Sequence, residues 1–185
     1  MNAFFCAEET GYTGEQLRSL WIYRTFGIVG DAIVGFLGAC DVAGERLVDQ
    51  VDAAAGDSIR AARMLHFLVE HFDGDLALAI ARQRLLAAIA CEELRARAPR
   101  AAIERRGDDL YEGDRKISVS IATASPVSSL IHFAMNIVSD GTPVPTKGLA
   151  DYGIDPRELA DAIRARYCDE IETMCLARCK VRAAK

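Results

Sequence analysis

The stretch that most constrains this chain runs from Lys116 to Val138. Lys116 to Ala122 alternates strictly, with Ile117, Val119 and Ile121 against Lys116, Ser118 and Ser120. That is the period-two pattern of a strand with one apolar face. Ser125-Pro126-Val127-Ser128 supplies a turn. Leu130 to Val138 then puts Ile131, Phe133, Met135 and Ile137 on one face, and Leu130, His132, Ala134, Asn136 and Val138 on the other. Just upstream, Glu112-Gly113-Asp114 is a turn between two short extended pieces. If the two strands pair with both bulky apolar sets on the core side, Lys116, Ser118, Ser120, His132 and Asn136 share one surface. Ala134, being small, leaves room there. A lysine, two hydroxyls, an imidazole and an amide around a gap make a polar floor for a ligand. Each alone has a plainer alternative: an edge-strand charge, exposed strand serines, a satisfied core histidine, a turn-capping asparagine.

The length of 185 residues suits one domain, residues 1–185, with a sizeable core. Hydrophobic residues make up 51% and charged residues 26%, the balance of a folded globular chain. The net charge of −5, with no basic run, argues against a nucleic-acid partner and leaves nucleotide binding open. No apolar run approaches a membrane span, so no membrane partner is expected. The start, MNAFFCAEET, has neither the basic beginning nor the apolar centre of a secretory signal, and a cytoplasmic location is the default expectation.

Six cysteines are scattered without a CxxC, which argues against a zinc ribbon. Cys175 and Cys179, one helical turn apart, read as a half metal site, a redox pair or, by preference, small packing residues.

Along the chain, Gln16 to Phe26 predicts a short helix or strand whose Trp21, Tyr23 and Phe26 serve the core or a subunit contact. Gly30 to Leu37 predicts a strand that ends in a turn at Gly38-Ala39-Cys40-Asp41. A glycine there permits close approach of a ligand, so Gly38, Cys40 and Asp41 are candidate substrate contacts. Cys40 is a candidate nucleophile, although its carboxylate neighbour disfavours the thiolate. Leu47 to Val51 is a further candidate strand, and Asp41, Asp49 and Asp52 are either holders of a hydrated divalent ion or turn caps. Asp57 reads as the N-cap of a helix to Phe72, with Ile59, Met64, Leu65, Leu68 and Val69 at helical spacing. On that helix His66 and Glu70 form an imidazole–carboxylate pair; the spacing to His71 is not that of the zinc-protease helices. Asp75 caps a long Ala-rich helix from Leu76 to Arg97, and Pro99 follows it. Residues 142–148 form a surface loop. Asp155-Pro156-Arg157-Glu158 is a strong helix start.

At the hairpin the chain resembles the biotin and lipoate protein ligases and the lipoyl (octanoyl) transferases. The ligase segment K-W-P-N-D, a turn, then K-I/L-x-G, is matched by Asp108-Asp109-Leu110-Tyr111, the turn, and Lys116-Ile117-Ser118. The transferase segment H-G-L-A-L-N-V is matched by His132-Phe133-Ala134-Met135-Asn136-Ile137-Val138. Over its whole length the chain resembles the prokaryotic family catalogued as domain of unknown function 366, whose fold is ligase-like. The passages that carry this are GDAIVGFLGACDV, MLHFLVEHFD, the hairpin and GTPVPTKGL.

The resemblance implies an α+β fold: a mixed, largely antiparallel sheet flanked by helices, of the biotin/lipoate ligase-like, class II synthetase-like type. It implies that Lys116 meets a substrate carboxyl or the phosphate of an acyl-adenylate, a catalytic role. It implies that Asp109, with Asp108 in place of the asparagine, helps place ATP and magnesium, and that Asn136 is the second-motif asparagine. A lysine suits developing negative charge, and carboxylates suit a phosphate-bridging magnesium ion. Two family features are absent. There is no Gly- and Arg-rich loop, Gly35-Phe36-Leu37-Gly38 being the nearest glycine-bearing turn. Pro145-Thr146-Lys147-Gly148 stands where the transferases have P-C-G.

The expected function is therefore a ligase- or transferase-like protein holding a small carboxylate or acyl-adenylate over Lys116, with a possible acceptor protein and a homodimeric assembly. The alternatives are a nucleotide or small-molecule binder without turnover, and a self-assembling scaffold.

Overall fold

The computed structural model describes residues 1–140 and 142–184. A five-stranded sheet lies at its centre, in the order β1 (Asn2–Phe5), β2 (Ala32–Ala43), β3 (Ser58–His71), β8 (Ser129–Asn136), β7 (Ser118–Ala124). Only the β1–β2 pair is parallel; the other three pairings are antiparallel. Three short strands, β4 (Ile103–Arg106), β5 (Asp109–Glu112) and β6 (Arg115–Lys116), form a second small sheet. The helices are α1 (Trp21–Phe26), α2 (Gln50–Ala55), α3 (Leu76–Arg97) and α4 (Pro156–Arg178). The mixed, largely antiparallel α+β architecture agrees with the expectation.

The sheet is covered on both faces. On one, Leu65, Phe67, Ile131 and Phe133 pack under α3 and α4, against Leu86, Leu94, Ile163 and Tyr167. On the other, Val34, Phe36, Met64 and Leu68 pack under the N-terminal segment, with Tyr12 and Ile22 above them. This double burial explains the largest departure from the sequence reading. Residues 58–71, expected as a helix capped by Asp57, are a 14-residue strand. A strand buried on both faces carries a continuous apolar run and loses its alternation. Met64-Leu65-His66-Phe67-Leu68-Val69 then matches helical spacing just as well, and pairing with β2 and β8 overrides the local preference.

Two further expectations are corrected. Leu47 to Val51 is no strand; a 3-10 turn at Gly44–Arg46 leads into α2, which Asp49 caps by accepting from the amides of Val51 and Asp52. Gly38 does not end β2. The strand runs on to Ala43, with a register shift between Gly38 and Cys40. The close approach at Gly38 is made by the chain itself, since a Cβ there would lie 2.0 Å from the Thr10 carbonyl oxygen. Gly38→Ala is expected to destabilise the fold by about 2 kcal/mol, because the obstacle is backbone that cannot rotate away. Urea unfolding of the variant reads this directly.

The helix starts are as expected. Asp75 accepts from the Leu78 amide, and Asp155 accepts from those of Arg157 and Glu158, with Pro156 in the first turn. The 125–128 turn closes by a 2.8 Å bond from Ser125 N to the Ser128 carbonyl. Gly113 takes the positive φ (58°) that the 112–114 turn demands. No helix among the described residues is long and apolar enough to cross a membrane.

Candidate functional site

The hairpin forms, but one of its strands shows the opposite face to the one expected. Residues directly opposite in an antiparallel pair share a face. Ser118 lies opposite Met135 and Ser120 opposite Phe133, whereas Val119 lies opposite Ala134 and Ile121 opposite His132. Ser118 and Ser120 therefore face the helices. Ser118 Oγ accepts from the Leu110 amide at 2.8 Å, and Ser120 Oγ accepts from Gln83 Nε2 of α3 at 2.8 Å. The expectation failed because Lys116 to Ala122 is not one strand. β6 ends at Lys116 and β7 begins at Ser118. Between them Ile117 is buried, its N–H donating to the Leu110 carbonyl and its carbonyl accepting from Asn136 N. That break lets Lys116 turn toward the second face while Ile117 and Ser118 both turn toward the first.

On the second face a cavity of about 440 Å³ opens. Lys116, Asn136, Met64 and Val119 line it beneath the α2–β3 corner, with Asp52 and Arg60, and beneath the Thr142–Thr146 loop. The loop is held by Lys116 itself, whose N–H donates to the Pro145 carbonyl and whose carbonyl accepts from Lys147 N, both at 3.0 Å. Asn136 Nδ2 donates to the same Lys116 carbonyl at 3.4 Å. Sequence reading missed this loop as a cavity wall. Nothing in its composition distinguishes a solvent loop from one folded back by two backbone bonds.

Lys116 Nζ lies 2.7 Å from Asp109 Oδ2, both half-buried. Burial acts to lower the lysine pKa, but Asp109 outweighs it and the net shift is upward, so the ammonium persists. Burial pushes the Asp109 carboxyl up despite the lysine. Asp52, across the cavity, is also raised, first by burial and then by Asp49 and Asp57, with Lys116 acting the other way. Asp108, expected beside Asp109, points elsewhere and accepts from Gln83 Nε2 at 2.8 Å.

His132 and Asn136 lie on the cavity's face of β8 as expected, but His132 lies deeper, with a small separate cavity of about 60 Å³. Its ring stacks on Tyr12 with centroids 3.7 Å apart, and its Nε2 is 3.1 Å from His66 Nδ1. The expected His66–Glu70 pair does not form. Glu70 accepts from Ser128 Oγ and the Leu20 amide, while His71, on the opposite face, joins Asp31 and Tyr167. Along a strand, four residues span about 13 Å, too far for that contact.

Asp41 is exposed and pairs with Arg60 at 3.2 Å, outside the cavity. Asp49 is spent on its cap, so Asp41, Asp49 and Asp52 do not converge. Among the described residues no group of three or more His, Cys, Asp or Glu is placed to hold a metal. Cys40 is buried against Tyr12, and burial together with Asp41 pushes its thiol up to about 12. At neutral pH it is held as the thiol, the weakly nucleophilic form. Iodoacetamide at pH 8 is expected to modify the exposed Cys175 and Cys179 and to spare Cys40 until the chain unfolds, which peptide mass mapping reads.

The family model described as Domain of unknown function (DUF366) matches residues 1–182. The chain belongs to this family. The uncharacterized protein MJ0805 of Methanocaldococcus jannaschii is 37% identical over 179 residues, 93% of this chain and 80% of that protein. A protein of unknown function from Pyrococcus horikoshi is 38% identical and superposes with a TM-score of 0.94 over 100% of this chain and 99% of its own.

This DUF366 protein also shares its fold with more distant structures. The proposed lipoate protein ligase Ta0514 from T. acidophilum, solved with bound lipoic acid, has a TM-score of 0.63 at 16% identity over 92% of this chain and 85% of its own. The biotin protein ligase of Aquifex aeolicus, in a mutant form with biotin, has a TM-score of 0.60 at 12% identity over 93% and 70%. At these identities the likeness establishes the ligase-like fold.

Proposed function

We propose that this protein binds a small carboxylate, or an acyl-adenylate-type anion, in the cavity over Lys116, and that it is a ligase- or transferase-like enzyme. The observation that carries this reading is Lys116 itself: a half-buried ammonium, kept charged by Asp109, on the wall of a cavity of about 440 Å³. An ammonium so placed attracts a carboxylate or phosphate more strongly than it would in water. Asn136 is within reach to donate a second hydrogen bond. The lipoate- and biotin-bound neighbours of the same fold make a carboxylic acid the first ligand class to test.

Asp109 and Asp52 are the carboxylates on offer to a magnesium ion accompanying ATP. Adenylation would leave AMP and pyrophosphate as products, which distinguishes an enzyme from a binder. A binder without turnover is the second reading, favoured by the absence of a Gly- and Arg-rich loop and by the unreactive Cys40. An acceptor protein for the acyl group and a homodimer complete the proposal. The exposed apolar patch of Tyr23, Val29 and Phe72 is the candidate subunit contact, since Trp21 packs inward against Phe26 and Phe36.

A thermal-shift panel tests the reading, with octanoate, lipoate, biotin, short dicarboxylates, AMP and ATP with magnesium. A ligand that binds the folded state raises the melting temperature by mass action. At least one carboxylic acid is expected to do so, and no shift from any member of the panel would sink the reading.

A further inference from the structure

His132 is the cavity residue that the proposed function leaves without a task. Its surroundings fix its chemistry. A backbone carbonyl only accepts, so the 3.2 Å contact between His66 Nε2 and the Gly38 oxygen puts a proton on that nitrogen. Both imidazoles are neutral at pH 7, because burial holds His66 at about 4 and lowers His132 well below its ordinary value. A neutral His66 with Nε2 protonated has a bare Nδ1, which must accept from His132 Nε2 across 3.1 Å. His132 is then left with Nδ1 as a bare acceptor.

No side chain or backbone group among the described residues uses that acceptor, although His132 is only 3% exposed. Nor is it sealed off, since among the described residues the buried side-chain polar atoms without a partner are the Nε atoms of Arg82 and Arg164. Tyr12, stacked on the same imidazole and 3% exposed, also has a hydroxyl with no partner among the described residues. Both rings line the small cavity of about 60 Å³, which has room for a hydroxyl, an amide or a few waters and not for a large ring. Leu47, Asp52 and Ile59 wall both this cavity and the larger one over Lys116. His132 and Asn136 are four residues apart on β8, about 13 Å, the reach of an extended medium-chain acid.

We propose that His132 is a specificity-determining residue. Its bare Nδ1, seconded by the Tyr12 hydroxyl, selects carboxylates whose far end carries an N–H or O–H donor over those ending in a bare hydrocarbon. This rests on the carboxylate reading of the Lys116 cavity and adds the chemistry of the ligand's other end. The selectivity has a stated physical origin: a buried acceptor left empty by the wrong ligand loses its hydration without replacement.

The test has two arms. In the first, nitrogen-15 NMR of the ligand-free protein reads the His132 tautomer. An unprotonated Nδ1 is expected, and a protonated Nδ1 overturns the proposal whatever any acid does. In the second, calorimetry compares octanoate and decanoate with their ω-hydroxy counterparts. Wild type is expected to bind the hydroxy acids about tenfold more tightly. His132→Phe keeps a flat ring against Tyr12 and removes the Nδ1 acceptor without supplying another, so it should erase that preference by tightening the plain acids toward the hydroxy acids. Equal affinities in wild type overturn this inference while the carboxylate reading stands. If no acid binds wild type, the carboxylate reading fails and takes the inference with it. A His132→Phe protein that does not fold leaves the tautomer and the wild-type preference to decide.

Discussion

Lys116→Ala is expected to weaken binding of the carboxylate ligand about 100-fold while leaving the fold nearly intact. A hydrogen bond to a charged group contributes about 1.5–3 kcal/mol, and a tenfold change in affinity is about 1.4 kcal/mol. The upper part of that range applies because the ammonium is half-buried and lies where the ligand's charge would be desolvated. Stability should fall by only about 1 kcal/mol, since the ion pair with Asp109 is partly open to solvent. Binding and folding therefore separate cleanly in calorimetry and thermal melting. Affinity within threefold of wild type would remove Lys116 as the anchor.

Asp109→Asn gives the complementary result. It frees the ammonium from its internal partner, so binding of a plain carboxylate should hold or tighten. Binding of ATP with magnesium should weaken if Asp109 helps hold the metal. A loss of both would instead mean that the ion pair serves the shape of the cavity.

The second large effect is acid destabilisation centred on two of the buried histidines, His66 and His132. His66 and His132 are neutral in the folded protein, because burial penalises their charged forms. In the unfolded chain they take up protons below about pH 6.5. The unfolded state therefore binds more protons as pH falls, and stability declines. Their contribution is intact above pH 6.5 and is lost progressively down to about pH 4, the folded value of His66. At 1.36 kcal/mol per pKa unit, His66 alone accounts for about 3 kcal/mol. Asp52 and Asp109, whose carboxyl pKa values are raised, act in the opposite direction. The lowered carboxyl of Asp31, bonded to His71, adds further loss only below about pH 4. Urea unfolding at pH 7.5, 6, 5 and 4.5 should show the fall. A His66→Phe/His132→Phe double variant that folds should lose most of the slope, and an unchanged slope would place the acid sensitivity elsewhere.

Strong local signals located the elements at the chain's punctuation. Asp75, Asp155 and Pro156 marked helix starts because a side-chain cap satisfies amides within three residues and needs no distant partner. The turns at 112–114 and 125–128 were legible for the same reason. Residues 58–71 were not, because a two-faced strand among non-local partners carries no periodicity of its own. The site was half legible. Lys116, Asp109, Asn136 and His132 stood out through their motifs, and the structure puts Lys116 beside Asp109 and within reach of Asn136. Ser118, Ser120 and Asp108 share those motifs, yet they support α3 and β5.

What the sequence determined by itself was the inventory: a hairpin, two capped long helices, and a lysine and carboxylate set apart by a turn. What the tertiary structure decided was direction. One residue between the strands, Ile117, breaks the alternation and sends Lys116 to one face and Ser118 to the other. The register of β2, β3 and β8 then brings His66 to His132. Both outcomes depend on long-range backbone pairing, which shifts the phase of every side chain after a single irregularity and leaves no mark in the local pattern.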